Sequence, residues 1–277
     1  MTHPKIPLAG VIGSPIAHSR SPNIHGHWLK TLGLPGHYIP MKVEAEDLES
    51  VLRTLPKAGF VGVNVTIPHK ERVLEIADLS TDRATLIGAA NTLVFRKDGK
   101  IQADNTDGYG FMKNLEAAGT SWTPAAGPAA LFGAGGAARA VIAALLQAGV
   151  PEIMISNRTR VRAEALQADF GKRIQVVDWV QAGNMLDDAA LVVNTTSLGM
   201  IGNPPLRVPL DGLRKNTLVT DLVYTPLKTR LLQTAEEMGC ATVDGLGMLL
   251  HQAVPGFERW FGERPTVDSA TRAAALR

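Results

Sequence analysis

Ala129-Ala130-Leu131-Phe132-Gly133-Ala134-Gly135-Gly136-Ala137-Ala138-Arg139-Ala140, near the midpoint of the chain, decides how its fold is read. The apolar run Ala129 to Phe132 predicts a buried strand, and the alanine-rich segment Ala137 to Ala148, stopped by Gly149, predicts a helix. Between them the residues fit G-x-G-x-x-A. Gly133 can make the tight turn, Gly135 lets the backbone approach a pyrophosphate, and small Ala138 lets helix pack closely on strand. Phosphate oxygens would be received by the free N–H groups of the helix start. The residues expected to touch a dinucleotide here are Gly133, Ala134, Gly135, Gly136 and Ala137. A glycine-rich turn without a ligand would account for the glycines, but not for the strand before them and the helix after.

Downstream, Glu152 to Ser156 reads as the next strand of a βαβ unit. At its end an NAD-binding protein places an acidic residue for the ribose 2′-OH. Here stands Asn157-Arg158-Thr159-Arg160-Val161-Arg162. Three guanidinium groups at a helix start suit a 2′-phosphate, because arginine offers a planar, permanently charged fork, so NADP is the cofactor expected. A solvated basic helix start is the alternative. Further strands are predicted at Ile174 to Val177, Leu191 to Asn194, Leu218 to Val223 and Ala241 to Val243, and a helix at Leu227 to Met238. This alternation predicts a parallel, doubly wound sheet. Asn194 to Met200, with Thr195 and Ser197, and Asp221 to Pro226, with Tyr224, fall at strand ends. Their polar groups could meet a nicotinamide ribose or a substrate, or simply form turns.

Upstream, Leu8 to Ile12 predicts a strand and Gly13 to Pro22 a loop. Ser21 is a suitable N-cap and Pro22 a suitable first residue for a helix to Leu32. Capping would explain Ser21 but not Ser19, and two hydroxyls beside helix-start amides could hold a carboxylate. Tyr38 to Val43 reads as a strand and Asp47 to Leu55 as a helix. The apolar strand from Phe60 carries Asn64 and Thr66 on one face. Pro68 is expected to open a helix with Lys70 in its first turn, where a cation opposes the macrodipole. Leu86 to Phe95 leads into a hairpin turned by Asp98-Gly99, whose return strand ends in Asp104-Asn105-Thr106-Asp107-Gly108. Asp107 then stands at a cap position before a helix to Ala118. Gly119 to Pro128 reads as a connection. The chain closes with a helix from Gly245 through Val254 and a last amphipathic helix through Phe261, which could return to the first domain.

The 277 residues allow two domains. Hydrophobic content of 45% and charged content of 19% are those of an ordinary globular protein, and a net charge of +2 without basic tracts argues against nucleic acid. No apolar run approaches a membrane span, and Met1 to Leu8 lacks a leader's apolar region. The single cysteine, Cys240, excludes an internal disulfide and makes the cytoplasm the expected compartment. Of seven histidines only His25 and His27 are close, and they point to different faces of a helix, so no metal site is expected.

These blocks resemble the shikimate dehydrogenase family over nearly the full length. The resemblance lies in Ser14-Pro-Ile-Ala-His18-Ser19-Arg-Ser21-Pro22, Asn64-Val-Thr-Ile-Pro-His-Lys70, Gly88-Ala-Ala-Asn91-Thr92, Asn105-Thr-Asp107-Gly108, Gly133 to Arg139, Asn157-Arg-Thr159 with Arg162, Thr196-Ser-Leu-Gly-Met200, Asp221-Leu-Val-Tyr224-Thr-Pro226 and Gln252. Gly26 departs from it, where asparagine would follow His25. The resemblance implies NADP-dependent interconversion of 3-dehydroshikimate and shikimate, a step towards aromatic amino acids. Lys70 and Asp107 would form the catalytic pair. Ser19 and Ser21, with Tyr224 nearby, would hold the substrate carboxylate, and Asn64, Thr66, Asn91 and Gln252 would address ring hydroxyls. Asn157, Arg158, Thr159, Arg162, Thr195, Ser197 and Gly245 would complete the cofactor set. It further implies a discontinuous α/β substrate-binding domain (1–107 plus 246–277), a Rossmann-like NADP-binding domain (108–245), and a cleft between them. A dual quinate/shikimate dehydrogenase is the neighbouring alternative, and a nucleotide-sensing regulator without turnover is one from another class. Monomer and homodimer both remain open.

Overall fold

The computed structural model describes residues 6–277; Met1 to Lys5, part of the stretch read for a leader, lie outside them. The chain divides into two compact units, 1–110 with 249–277, and 111–248. The division falls within two helices, after Gly110 and before Leu249.

In the first unit the chain runs β1 (Leu8–Gly13), α1 (Ser21–Thr31), β2 (His37–Lys42), α2 (Leu48–Thr54), β3 (Phe60–Val65), α3 (Arg72–Ile76), β4 (Leu79–Ser80), α4 (Asp82–Ile87), β5 (Thr92–Phe95), β6 (Ile101–Asp104) and the start of α5 (Asp107–Ala117). The strands form one sheet in the order β2-β1-β3-β5-β6-β4, with β5 antiparallel to both neighbours. Side-chain alternation divides β1 between two cores: Ala9 and Val11 pack with Tyr38 and Trp260, Ile12 with Leu52, Val63 and Leu93. The chain leaves β1 for β2 on one side and returns to β3 on the other, so the strand order reverses between β1 and β3. Ligands of open α/β sheets collect outside the carboxyl ends at such a point. Because β6 runs antiparallel to β5, its carboxyl end and the amino end of β5 arrive at that same edge.

The second unit continues through α5, then β7 (Ala129–Phe132), α6 (Gly136–Ala148), β8 (Ile153–Ser156), α7 (Arg160–Phe170), β9 (Ile174–Val176), β10 (Leu191–Asn194), β11 (Leu218–Asp221), α8 (Arg230–Glu237), β12 (Ala241–Val243) and the start of α9 (Leu246–Phe261). All strand pairs are parallel, in the order β12-β11-β10-β7-β8-β9, which is the doubly wound arrangement. The strands are covered on both faces. Ala129, Leu131, Ile153, Ile155 and Val193 face one core, and Ala130, Phe132, Met154 and Val192 the other. Burial on two sides is why they read as continuous apolar runs.

Four local expectations are corrected. Ser21 is the first residue of α1 rather than its cap; Arg20 holds the cap position with no side-chain bond, and Ser19 Oγ accepts from the Ser21 amide at 3.3 Å. No helix starts at Pro68: the Lys70 carbonyl accepts from Ala90 N at 2.7 Å instead of entering a helical ladder, and α3 begins only at Arg72. Lys70 therefore lies in a turn and opposes no helix dipole. Leu86 and Ile87 belong to α4, capped by Thr81 Oγ1 on Ala84 N and closed by left-handed Gly88. Finally, α9 runs unbroken through Pro255 to Phe261, and α10 (Ser269–Ala275) follows, capped by Asp268.

Candidate active site

The candidate groups Ser19, Asn64, Thr66, Lys70, Asn91 and Asp107 lie at or just beyond the sheet edge where the strand order reverses, while α1 carries Ser21 and α9 carries Gln252. Thr66 N donates to Ile12 O at 2.9 Å and Ser14 N to Ile67 O at 3.1 Å, fastening the loops after β1 and β3 to each other. The close approach needs Gly13, since a Cβ there would meet Thr66 Cγ2 at 2.5 Å. His69 is buried, with Nε2 2.7 Å from Val43 O, and this pins the turn that carries Lys70.

Lys70 Nζ donates to Asp107 Oδ2 at 2.5 Å, with the lysine side chain one-fifth exposed and the aspartate 6%. The other carboxylate oxygen, Oδ1, accepts from Asn91 Nδ2 at 2.8 Å. Asp107 does not serve as a cap; Asn105 Oδ1 accepts the Asp107 amide at 3.0 Å and does that work. Beneath it, buried Asp104 accepts from Arg83, Thr81 and the Asn105 amide and pairs with Arg259. Burial alone would raise its carboxyl, but these partners hold it below the usual range. The Asn105–Asp107 loop is thus anchored by a satisfied charge.

Asn91 is a hub. Its Nδ2 lies 2.9 Å from both Thr106 Oγ1 and Gln252 Oε1, and its Oδ1 accepts from Thr106 N and Thr92 Oγ1. Gln252 Nε2 donates to Leu249 O, and Thr106 Oγ1 donates to Gln252 O at 2.8 Å. Asn64 reaches the same group, donating through Nδ2 to Asn91 O at 3.1 Å. The structure therefore brings together Asn64, Lys70, Asn91, Asp107 and Gln252, while Ser19 and Thr66 sit on the adjoining loops and Ser21 opens α1. Buried Thr92, Thr106 and Tyr38 also belong to this network; the two threonines lie within the quoted motif blocks without a role assigned to them, and Tyr38 lies outside every block. For Tyr38 the position on β2 was the only clue.

In the second unit the reversal lies between β7 and β10. Thr195 donates to Phe132 O through both its amide (2.8 Å) and Oγ1 (2.7 Å). Gly133, at φ 110°, has no room for a side chain: a Cβ would meet Thr195 Oγ1 at 2.6 Å. Gly135 is the opposite case. It caps α6 without a side-chain bond, and a Cβ there meets no atom within 4 Å. Open space above a glycine, beside free helix-start amides, fits a pyrophosphate. Arg158 and Arg162 are exposed, and among the described residues neither guanidinium has a hydrogen-bond or ion-pair partner. Arg160 differs, being paired with Glu164 and Asp178. Asn157 Nδ2 donates to Thr159 O at 2.8 Å and shapes this turn. Two free guanidiniums after β8 suit a 2′-phosphate.

Ser197 is exposed on the loop after β10, and Tyr224 is half-buried on the loop after β11. Asn194 and Asp221, at the ends of those strands, are joined at 2.9 Å. Burial pushes the Asp221 carboxyl up to about 6, opposed by bonds from Thr229, the Val223 amide and Asn194. Gly245 is explained by packing, because a Cβ would strike Leu222 O at 2.4 Å. Among the described residues no three His, Cys, Asp or Glu side chains are grouped to hold a metal, and no helix is long and apolar enough to cross a membrane.

Three family models match the chain: the shikimate dehydrogenase substrate binding domain over residues 11–93, shikimate / quinate 5-dehydrogenase over 124–201, and the shikimate 5′-dehydrogenase C-terminal domain over 245–274. The chain is 67% identical over 276 residues to the shikimate dehydrogenase (NADP(+)) of Roseobacter denitrificans, covering 100% of each. Among solved structures it is similar to shikimate 5-dehydrogenase of Thermus thermophilus in complex with NADP(H) and shikimate, at TM-score 0.87 and 37% identity, covering 97% of this chain and 98% of that one. It is also similar to quinate dehydrogenase of Corynebacterium glutamicum in complex with NAD, at TM-score 0.90 and 32% identity, with the same shares covered.

Proposed function

The chain belongs to the shikimate dehydrogenase family, an NADP-dependent oxidoreductase interconverting 3-dehydroshikimate and shikimate, and we propose that Lys70 and Asp107 carry its proton transfer. The observation that carries this assignment is the 2.5 Å contact between Lys70 Nζ and Asp107 Oδ2, inside a network that also holds Asn64, Asn91 and Gln252.

NADPH, when bound, supplies a hydride from C4 of its nicotinamide. As negative charge builds on the substrate's carbonyl oxygen, the Lys70 ammonium polarises and then protonates that oxygen. Asp107 directs the ammonium, and Asn91 holds the carboxylate by its second oxygen. In the oxidative direction Lys70 takes the hydroxyl proton back. Ser19 and Ser21 take the substrate carboxylate, and Asn64, Thr66 and Gln252 take ring hydroxyls. Asn91 has its polar atoms engaged with protein, which supports a role in fixing Asp107 and Gln252 beside any contact with a ring hydroxyl. In the second unit Gly133 to Ala137 receive the pyrophosphate, Arg158 and Arg162 the 2′-phosphate with Asn157 and Thr159 framing the turn, and Thr195, Ser197 and Gly245 line the remaining cofactor contacts.

The match to a model named for shikimate and quinate together supports a second reading, in which quinate is also oxidised. Assaying shikimate and quinate against NADP and NAD decides. Turnover of shikimate with NADP, well above every other combination, is expected; comparable quinate turnover would establish dual use, and no shikimate turnover would overturn the assignment. One buried cysteine supports a cytoplasmic location, and the enzyme works as a monomer or homodimer.

A further inference from the structure

Tyr38, on β2, has no part in the roles above, yet it bonds one of the residues assigned to substrate. Its phenol is 7% exposed and donates to Asn64 Oδ1 at 2.7 Å. The nearby Ser21 side chain offsets only part of the effect of burial on the phenol. Burial holds the phenol well above its ordinary ionisation range, so it remains a donor.

The ring is fixed on its face. His25 stacks on it with centroids 3.8 Å apart and planes 2° from parallel, and Trp260 lies 6.2 Å away on a tilted plane. Trp28 and Phe257 pack around His25 in turn. A phenol gripped in this way holds its oxygen in one place.

The consequence for Asn64 is a matter of counting. A side-chain amide has two donors and two acceptor sites. Asn64 Nδ2 spends its donors on Asn91 O at 3.1 Å and Thr92 Oγ1 at 3.4 Å. Tyr38 takes one lone pair of Oδ1. One acceptor site is left, so Asn64 can meet a ligand only by accepting a hydroxyl proton.

We propose that Tyr38 is a positioning residue that holds Asn64 and presents it to the substrate solely as an acceptor, thereby selecting a ring hydroxyl at that point. The proposal rests on shikimate being the substrate and on Asn64 meeting one of its hydroxyls. A site built to bond a hydroxyl rejects the analogue lacking it, which gives a readout that packing alone does not.

Tyr38→Phe keeps the stack and removes one oxygen. Steady-state kinetics are measured for wild type, Tyr38→Phe and Asn64→Ala with shikimate and with analogues each lacking one non-reacting ring hydroxyl, alongside melting temperatures. Tyr38→Phe is expected to raise KM for shikimate about three- to tenfold, to change kcat and KM for NADP by less than about threefold, and to leave the melting temperature nearly unchanged. Its KM penalty should vanish for the one analogue that also makes Asn64→Ala equal to wild type. An unaltered KM for shikimate in Tyr38→Phe, while Asn64→Ala raises it, overturns the inference and leaves the Asn64 assignment standing. An equal KM rise for every analogue, with a lowered melting temperature, overturns it in favour of packing. If Asn64→Ala leaves KM untouched, or wild type does not turn over shikimate, the underlying reading falls and the inference with it.

Discussion

Asp107 gives one carboxylate oxygen to Lys70 at 2.5 Å and the other to Asn91 at 2.8 Å, so a single side chain links the turn after β3 to the amino end of β5. Neither oxygen can be replaced by an NH2 group without setting a donor against a donor. Asp107→Asn is therefore expected to lower kcat by about 10²-fold or more, with substrate KM changed much less. Stopped-flow or steady-state absorbance at 340 nm checks it, and a near-native kcat would remove Asp107 from the mechanism.

Gly135→Val tests the cofactor loop separately from the fold. A Cβ added there meets no atom within 4 Å, and Gly135 has an ordinary extended backbone. The melting temperature should stay within about 2 °C of wild type, while NADP affinity, measured by calorimetric titration, should fall at least about tenfold. Unaltered NADP affinity would mean that the pyrophosphate lies elsewhere.

How much of this was legible in the sequence follows from what each residue touches. Strands β7, β8 and β10 announce themselves because both faces are buried, and the glycine loop because Gly133 and Gly135 have spacing that the backbone itself demands. Helix α4 is hidden because Leu86-Ile87 runs into the apolar segment before β5, and a short apolar run does not distinguish helix from strand. The turn at Lys70 is set by Ala90 N, twenty residues away in sequence, which no local rule at Pro68 can foresee. The candidate site was readable as motifs, but its connections were not: Asn91 and Gln252 are 161 positions apart, and Tyr38 reaches Asn64 from a different strand.

Gly26, where the family resemblance leads one to expect asparagine, stands inside α1 on its exposed face, and a methyl group added there would meet no atom within 4 Å. Glycine in a helix interior costs about 0.5–1 kcal/mol relative to alanine. Gly26→Ala should raise the thermal midpoint by about 1–4 °C without altering kinetics. A lowered midpoint would contradict the open space at that position.

His25 makes one stretch of the stability curve its own. Burial among aromatic rings lowers its imidazole from 6.5 to about 3, the nearby Asn64 amide opposing this only in part, and neither ring nitrogen has a hydrogen-bond partner among the described residues. The folded protein holds it neutral while the unfolded chain protonates it near 6.5. Its contribution is whole above that pH and is lost progressively as pH falls towards about 3. His25→Phe should erase this slope, gaining about 2 kcal/mol on wild type between pH 7.5 and pH 5 in urea unfolding. Parallel curves for the two proteins would show that the imidazole takes up its proton when folded.

The most direct measurement is kcat of Lys70→Ala in the reduction of 3-dehydroshikimate, at saturating NADPH and with NADPH binding verified by fluorescence. A positioned acid of this kind is worth about 10²- to 10⁴-fold, so a loss of that size with intact cofactor binding is the predicted result. Turnover within a few-fold of wild type would contradict the assignment of proton transfer to Lys70 and Asp107.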